Sequence, residues 1–355
     1  MPTQHVFHHQ QEFQLESGAT LPGFQLAYTT YGALNQQRSN VVWVCHALTG
    51  SADFTDWWCD LFGEGKLYDP REWFVVCANT MGGCYGSTGP LSVNPKTLQP
   101  YFQTFPQLTN RDIVRAFDLL RQELGLERVH TLLGGSLGGQ QALEWVLQKP
   151  AVFERLVHVA SNARHSPWGI AFNESQRMAI RQDPTWGTST KEAGQEGLKT
   201  ARAIAMLSYR HYNTYNEAQQ EPGHSITDNF RASSYQVYQG EKLAQRFNAY
   251  TYWLLSKAMD SHNVGRDRGG VERALAQVKA RSLFVGVDTD LLFPVEEQYF
   301  LHAQVSDSSF HLIRSNYGHD GFLVEVDQLT EAIRQFYQNE KVTEEEEFNY
   351  EKQER

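Results

Sequence analysis

Short runs that are apolar almost without a break recur along the chain: Val41–Cys45, Trp73–Cys77, Val129–Leu133, Leu156–Ala160 and Leu283–Val287. Each is rich in β-branched or aromatic residues. Parallel strands covered on both faces have this character. Between them the rhythm changes to three and four. Ile113, Val114, Phe117, Leu120 and Leu124 recur at helical spacing over 109–124. Thr109 or Asn110 can cap the start of that helix, and Gly125 can close its end. A second helix is expected over about 137–147, stopped near Pro150. Strands alternating with helices predict βαβ units and a mostly parallel sheet.

From about His165 to Gly270 no convincing strand is found. The segment is rich in aromatics, Met and Ala, as in Ala201–Leu207, and reads as a helical insertion. The strand pattern resumes at Leu283 and at Phe310–Ile313. A last helix is expected over about 321–337. The division that follows is a core domain over 1–164 and 271–338, a helical lid insertion over 165–270, and an acidic, disordered tail over 339–355. A chain of 355 residues suits one large domain with an insertion, or two modest ones.

Composition narrows the function. With 41% hydrophobic and 20% charged residues the chain is ordinary for a globular protein. The net charge of −10 argues against a grip on nucleic-acid phosphates, although Glu344–Glu347 inflates that figure. The cysteines Cys45, Cys59, Cys77 and Cys84 form no CxxC pair. Cys45 and Cys77 read as small buried hydrophobes. The N-terminus lacks the pattern of a signal peptide, and no apolar stretch is long enough for a membrane span. The expectation is a soluble, cytoplasmic protein with no nucleic-acid or membrane partner.

The densest chemistry lies at Gly134-Gly135-Ser136-Leu137-Gly138-Gly139. Ser136 follows an expected strand and precedes an expected helix, in the pattern G-x-S-x-G. A sharp strand-to-helix turn exposes such a serine, and bulky neighbours would clash across it. The Leu137 N–H at the positive helix end can face a developing oxyanion. A phosphate-binding loop would need Lys and Ser/Thr after the last glycine, where Gln140 and Gln141 stand. The fold class is therefore α/β, of the α/β-hydrolase type: a mostly parallel central sheet, helices on both faces and a helical lid.

A serine hydroxyl needs a base, and in this fold an acid and then a base follow the nucleophile in chain order. Asp288 and Asp290 both follow the strand at 283–287; topology favours Asp290 without settling the choice, since pattern reading places loop residues only to within about two positions. His319 follows the last strand and is the expected base. His46, the chief rival, precedes Ser136, where the loop carrying the second oxyanion donor belongs. That donor is a backbone N–H of Leu48 or Thr49. His5, His8 and His9 read as a tail cluster and not a metal site, since no carboxylate or Cys is spaced with them.

Taken together, the residues resemble the homoserine O-acetyltransferase family. The matching stretches are His46–Gly50, Asp56–Trp58, Gly63–Lys66, Asn79–Pro90, the elbow at Ser136, Ala201-Arg202, Asp290–Pro294 and Gly318–Leu323. They span most of the chain in order, and the run Gly82–Pro90 is far more specific than the elbow. The resemblance implies Ser136 as nucleophile, Asp290 rather than Asp288 as acid, and His319 as base. It implies that Arg202 and Asp320 hold an amino-acid acceptor, which suits a carboxylate and an ammonium in turn. It also implies ping-pong acyl transfer in methionine biosynthesis, with acetyl-CoA or succinyl-CoA as co-substrate, no bound cofactor or metal, and a homodimer through lid helices. Homoserine O-succinyltransferase, serine O-acyltransferase and plain serine esterase remain alternatives, and a non-catalytic binding protein is disfavoured. The stretch from Arg181 to Lys199 looks shorter and less glycine-rich than the family pattern. The acidic tail has no family counterpart.

Overall fold

The computed structural model describes residues 1–339. Its centre is an eight-stranded sheet. The strands are β1 Thr3–His9, β2 Phe24–Tyr31, β3 Val41–Cys45, β4 Phe74–Ala78, β5 Val129–Gly135, β6 Phe153–Val159, β7 Arg281–Val287 and β8 Ser308–Ile313. Their spatial order is β1-β2-β4-β3-β5-β6-β7-β8. The pairs β1·β2 and β2·β4 are antiparallel, and every other pair in the sheet is parallel. The parallel strands β3 to β7 coincide with the uninterrupted apolar runs to within a few residues. Their composition follows from burial on both faces. Val41, Trp43 and Cys45 pack into one buried cluster, whereas Val42 and Val44 pack into the other.

The longer helices are α1 Asn110–Glu123, α2 Leu137–Gln148, α3 Pro167–Gln182, α4 Gln195–Tyr209, α5 Tyr212–Gln219, α6 Arg231–Ala244, α7 Ala249–Asp260, α8 Val295–Gln304 and α9 Val326–Gln338. Thr109 caps α1 in a reciprocal box with Asp112. Helices α3 to α7 all lie between β6 and β7, and the two ends of this excursion meet. His165 N–H donates to the His262 carbonyl at 3.0 Å, and Val264 N–H donates to Ala163 at 3.0 Å.

Two expectations are corrected. His5, His8 and His9 are not a tail: they belong to β1, where alternate residues face solvent. The helix expected over 321–337 is broken. A short turn at Gly321–Val324 ends at Glu325, and α9 begins at Val326. In α7, Tyr250, Tyr252, Leu254 and Leu255 are buried within the chain. The expected acidic tail lies, apart from Asn339, outside the described residues.

Candidate active site

Ser136 sits at the junction of β5 and α2 with φ 55° and ψ −124°, a backbone conformation that costs energy for any residue with a Cβ. The surroundings hold it there. Ser136 N–H donates to the Val159 carbonyl at 3.0 Å, and the Ser161 hydroxyl donates to the Ser136 carbonyl at 2.7 Å. The flanking glycines are needed for space. A Cβ on Gly134 would stand 2.2 Å from the Gly138 carbonyl oxygen, and one on Gly138 would stand 2.0 Å from that of Cys45. A side chain at either position would force the strand and helix apart.

The loops after β7 and β8 bring two further side chains to the serine. His319 Nε2 lies 2.9 Å from Ser136 Oγ, and His319 Nδ1 lies 2.6 Å from Asp290 Oδ2. Asp290 Oδ1 accepts the Leu292 and Phe293 N–H groups at 2.8 and 2.9 Å, which fixes the carboxylate plane. Both Asp290 and His319 are buried. Asp288 faces elsewhere: it accepts from Ser315 N–H at 3.0 Å and pairs with Arg314. Burial alone pushes the His319 pKa down. The neighbouring Asp290 and Asp320 carboxylates outweigh burial and hold it above the ordinary histidine value. The rings of Phe293, Phe322 and Tyr209 surround the imidazole at 5.2, 5.3 and 5.7 Å.

His46 is accounted for differently. Its Nδ1 contacts the Ala47 carbonyl at 2.8 Å, and its Nε2 accepts the Thr80 N–H at 3.0 Å. Burial lowers its pKa to about 4, so the ring stays neutral and serves as a brace for the 46–50 loop.

A cavity of about 310 Å³ opens over Ser136 and is lined by Leu48, Thr49, Arg202, His319 and Asp320 among others. Leu137, next to Ser136, is buried. As the first residue of α2 its N–H has no acceptor within the helix. Arg202 stacks on the Tyr209 ring at 5.2 Å, and its buried Nη1 makes no hydrogen bond among the described residues. Asp320 does not cap the following helix. Its Oδ2 lies 3.3 Å from Arg210 Nε, near enough for ion pairing but not aligned as a hydrogen bond.

Sequence reasoning missed Tyr209, Arg210 and Arg246, which also line this cavity. Tyr209 carried a signal. It stands seven positions after Arg202 on α4, which returns to the same helix face. Arg210 and Arg246 carried none. With Arg202 they give the cavity three guanidinium groups against the single carboxylate of Asp320, an environment that favours anionic ligands.

A larger cavity of about 630 Å³ lies between the two ends of the helical excursion and is lined by Arg164, Ser166, Arg266, Glu272 and Glu297. Its serine is a helix cap: Ser166 accepts the Gly169 N–H. Ser166 Oγ is engaged by the Gly169 N–H, whereas Ser136 Oγ is hydrogen-bonded to His319, so the smaller cavity is the candidate for serine chemistry. Among the described residues no group of three or more His, Cys, Asp or Glu side chains could hold a metal, and no helix is long and apolar enough to cross a membrane.

Known proteins of similar sequence and structure identify the family and the fold. The family model of the α/β hydrolase fold matches residues 40–326. A homoserine O-acetyltransferase of Cyclobacterium marinum is 52% identical over 94% of this chain and 95% of its own. One of Nostoc punctiforme is 42% identical over 91% and 93%. The solved homoserine O-acetyltransferase of Bacillus anthracis superposes with TM-score 0.90 at 26% identity, covering 97% of this chain and 99% of its own. The solved esterase E22 superposes with TM-score 0.87 at 25% identity, covering 95% and 100%. Overall shape and identity to these solved structures hardly separate transferase from esterase, whereas the curated relatives at 52% and 42% identity over nearly the full length are homoserine O-acetyltransferases. The chain belongs to the homoserine O-acetyltransferase family, built on the α/β-hydrolase fold.

Proposed function

We propose that this chain transfers the acetyl group of acetyl-CoA to the side-chain hydroxyl of L-homoserine through an acetyl-Ser136 intermediate. The observation that carries the reading is the placement of Arg202 and Asp320 in the same cavity as the hydrogen-bonded Ser136–His319–Asp290 set. A hydrolase needs only the latter.

In the first half-reaction His319 Nε2 takes the Ser136 hydroxyl proton as Oγ attacks the thioester carbonyl. Asp290 accepts from Nδ1–H, so Nε2 is left free as the base. The N–H groups of Leu137 and of Leu48 hold the oxyanion. The tetrahedral intermediate collapses by breaking the C–S bond. CoA leaves as a thiol with the proton from His319, and acetyl-Ser136 remains. In the second half-reaction homoserine gives its hydroxyl proton to His319 and attacks the acetyl carbonyl. Ser136 Oγ leaves and recovers the proton.

Arg202 binds the acceptor carboxylate, for which its unpartnered Nη1 is available, and Asp320 accepts from the acceptor ammonium. The cationic lining suits a donor that carries phosphates. We propose residues 165–270 as the lid that limits attack by water. We also propose a homodimer through α4 to α6, where Leu207, Tyr212, Val237 and Tyr238 are exposed. Sedimentation at a series of concentrations tests it, and a monomer throughout would remove it. We place the enzyme in the cytoplasm.

The likeness to esterase E22 favours hydrolysis as the second reading. One matrix decides between them: homoserine, serine and no acceptor, each against acetyl-CoA and succinyl-CoA, with CoA release and acylated product measured. Homoserine with acetyl-CoA is expected to exceed the no-acceptor rate by at least about a hundredfold. Equal CoA release with and without acceptor would establish a hydrolase instead.

A further inference from the structure

The run Gly82–Pro90, the most distinctive stretch of the sequence, contributes no group to the mechanism above. Its hydrogen bonds stitch it to the sheet. Thr88 N–H donates to the Gln25 carbonyl at 2.9 Å, Gln25 Nε2 donates to Gly86 at 2.8 Å, and the Ser87 hydroxyl donates to Asn79 at 2.6 Å. These bonds tie Tyr85 to β2. The Tyr85 hydroxyl in turn accepts from Arg246 Nη1. Two further contacts hold the same junction: Cys84 Sγ lies 3.8 Å from the Arg246 carbonyl, and the Tyr85 and Phe247 rings lie 6.0 Å apart.

Arg246 belongs to the helical excursion, in the turn between α6 and α7. Arg246 and Phe247 N–H groups both donate to the Leu243 carbonyl at 3.0 Å, so the turn is well determined. From there Arg246 Nη1 reaches across the cavity mouth and donates to the Thr49 carbonyl at 2.7 Å. The 46–50 loop is otherwise braced near its ends, from the segment after β4. Thr80 N–H holds His46, and Ala52 N–H donates to Asn79 Oδ1 at 2.7 Å. Its middle carries the amides expected to meet the oxyanion, and Arg246 reaches that middle from the opposite side.

We propose that Arg246, steadied by the Tyr85 hydroxyl, is a positioning residue that sets the direction of the Leu48 and Thr49 amides through the Thr49 carbonyl. The oxyanion site is then completed by the excursion and not by the sheet alone. This inference rests on the reading that those amides bind the oxyanion. The Gly82–Pro90 run thereby gains a role, since it carries Tyr85 from the sheet to the arginine. The alternative role for an exposed arginine at this mouth is direct contact with the phosphates of the acyl donor.

The test uses p-nitrophenyl acetate, an acetyl donor without phosphate, and an aryl trifluoromethyl ketone, which traps the oxyanion form on a serine. Full-length wild type, Arg246→Met, Arg246→Lys, Tyr85→Phe and the Arg246→Met/Tyr85→Phe double variant are compared. In Arg246→Met the acylation rate and the ketone affinity are expected to fall together by about tenfold, less than the loss of a direct oxyanion donor. Lys is expected to restore part of both, and Tyr85→Phe to add nothing in the Arg246→Met background. Thermal melting of each variant separates repositioning from unfolding. Wild-type acylation by p-nitrophenyl acetate in Arg246→Met, with a raised KM confined to acetyl-CoA, would overturn the proposal in favour of phosphate contact. Additive losses in the double variant would overturn the role of Tyr85. If wild type itself is not acylated at Ser136, the reading of the reaction falls before any variant is compared.

Discussion

The sheet with its loops and the helical excursion between β6 and β7 contribute different things to one cavity. The sheet supplies Ser136, Asp290, His319 and the loop amides, a set that serves hydrolysis and transfer alike. The excursion supplies Arg202, Tyr209, Arg210 and Arg246. These groups line the cavity without contacting Ser136 in the triad hydrogen bonds, and on the proposed reading they help select what else can enter. On that reading the nucleophile belongs to the fold, while the acceptor is chosen jointly by Asp320 beside the base and by Arg202 from the excursion. A solved esterase can therefore share the fold at TM-score 0.87 with a chain whose curated relatives are transferases.

Substitutions on the two sides should separate accordingly. Ser136→Ala is expected to remove both transfer to homoserine and hydrolysis of p-nitrophenyl acetate, each by about a thousandfold or more. Loss of one activity alone would break the shared-nucleophile account. Arg202→Met should lower kcat/KM for homoserine by about a hundredfold, as removal of one partner of a charged contact does. Its ester hydrolysis should fall far less, and an equal fall in both would show Arg202 to be structural.

Asp320→Asn crosses the boundary, because Asp320 follows His319 directly and faces the excursion through Arg210. Its kcat/KM for homoserine should fall by about tenfold. The pH profile of acylation should move as well. Wild type is expected to lose activity as pH falls through a His319 pKa held above the ordinary value, since the base must be unprotonated. The Asp320 charge is one cause of that elevation, so in Asp320→Asn the acid limb should shift to lower pH. A limb that stays in place would remove Asp320 from the electrostatics of the base. The smallest effect is expected from Thr109→Ala, which removes the cap of α1. It should cost about 1 kcal/mol in denaturant unfolding and leave turnover per folded molecule unchanged.

What could be read from the sequence follows the same division. Parallel strands buried on both faces, such as Val41–Cys45, declare themselves by composition alone. A glycine-flanked serine and a histidine after the last strand were legible from motif and chain order, whereas Asp290 was settled over Asp288 only by the family resemblance. The antiparallel edge was not legible. β1 mixes polar and apolar residues on both faces, with Val6 and His8 exposed and His5, Phe7 and His9 half-buried, and without its neighbour β2 it looks like a polar tail. The break at Glu325 was equally hidden, because the helical period continues across it. Arg210 and Arg246 were invisible for a different reason. No local pattern marks a cation whose partner is Asp320 or Thr49, and both reach the cavity through packing of the excursion on the sheet.

The central claim is an acetyl group held on Ser136 and passed to an amino-acid hydroxyl. Intact-protein mass spectrometry, with peptide mapping, on enzyme mixed with acetyl-CoA and then with homoserine tests it most directly. The account predicts the mass of one added acetyl group on Ser136, lost promptly on adding homoserine with O-acetylhomoserine formed in equal amount. An acetyl group on another residue, or one discharged at the same rate by water alone, would contradict it.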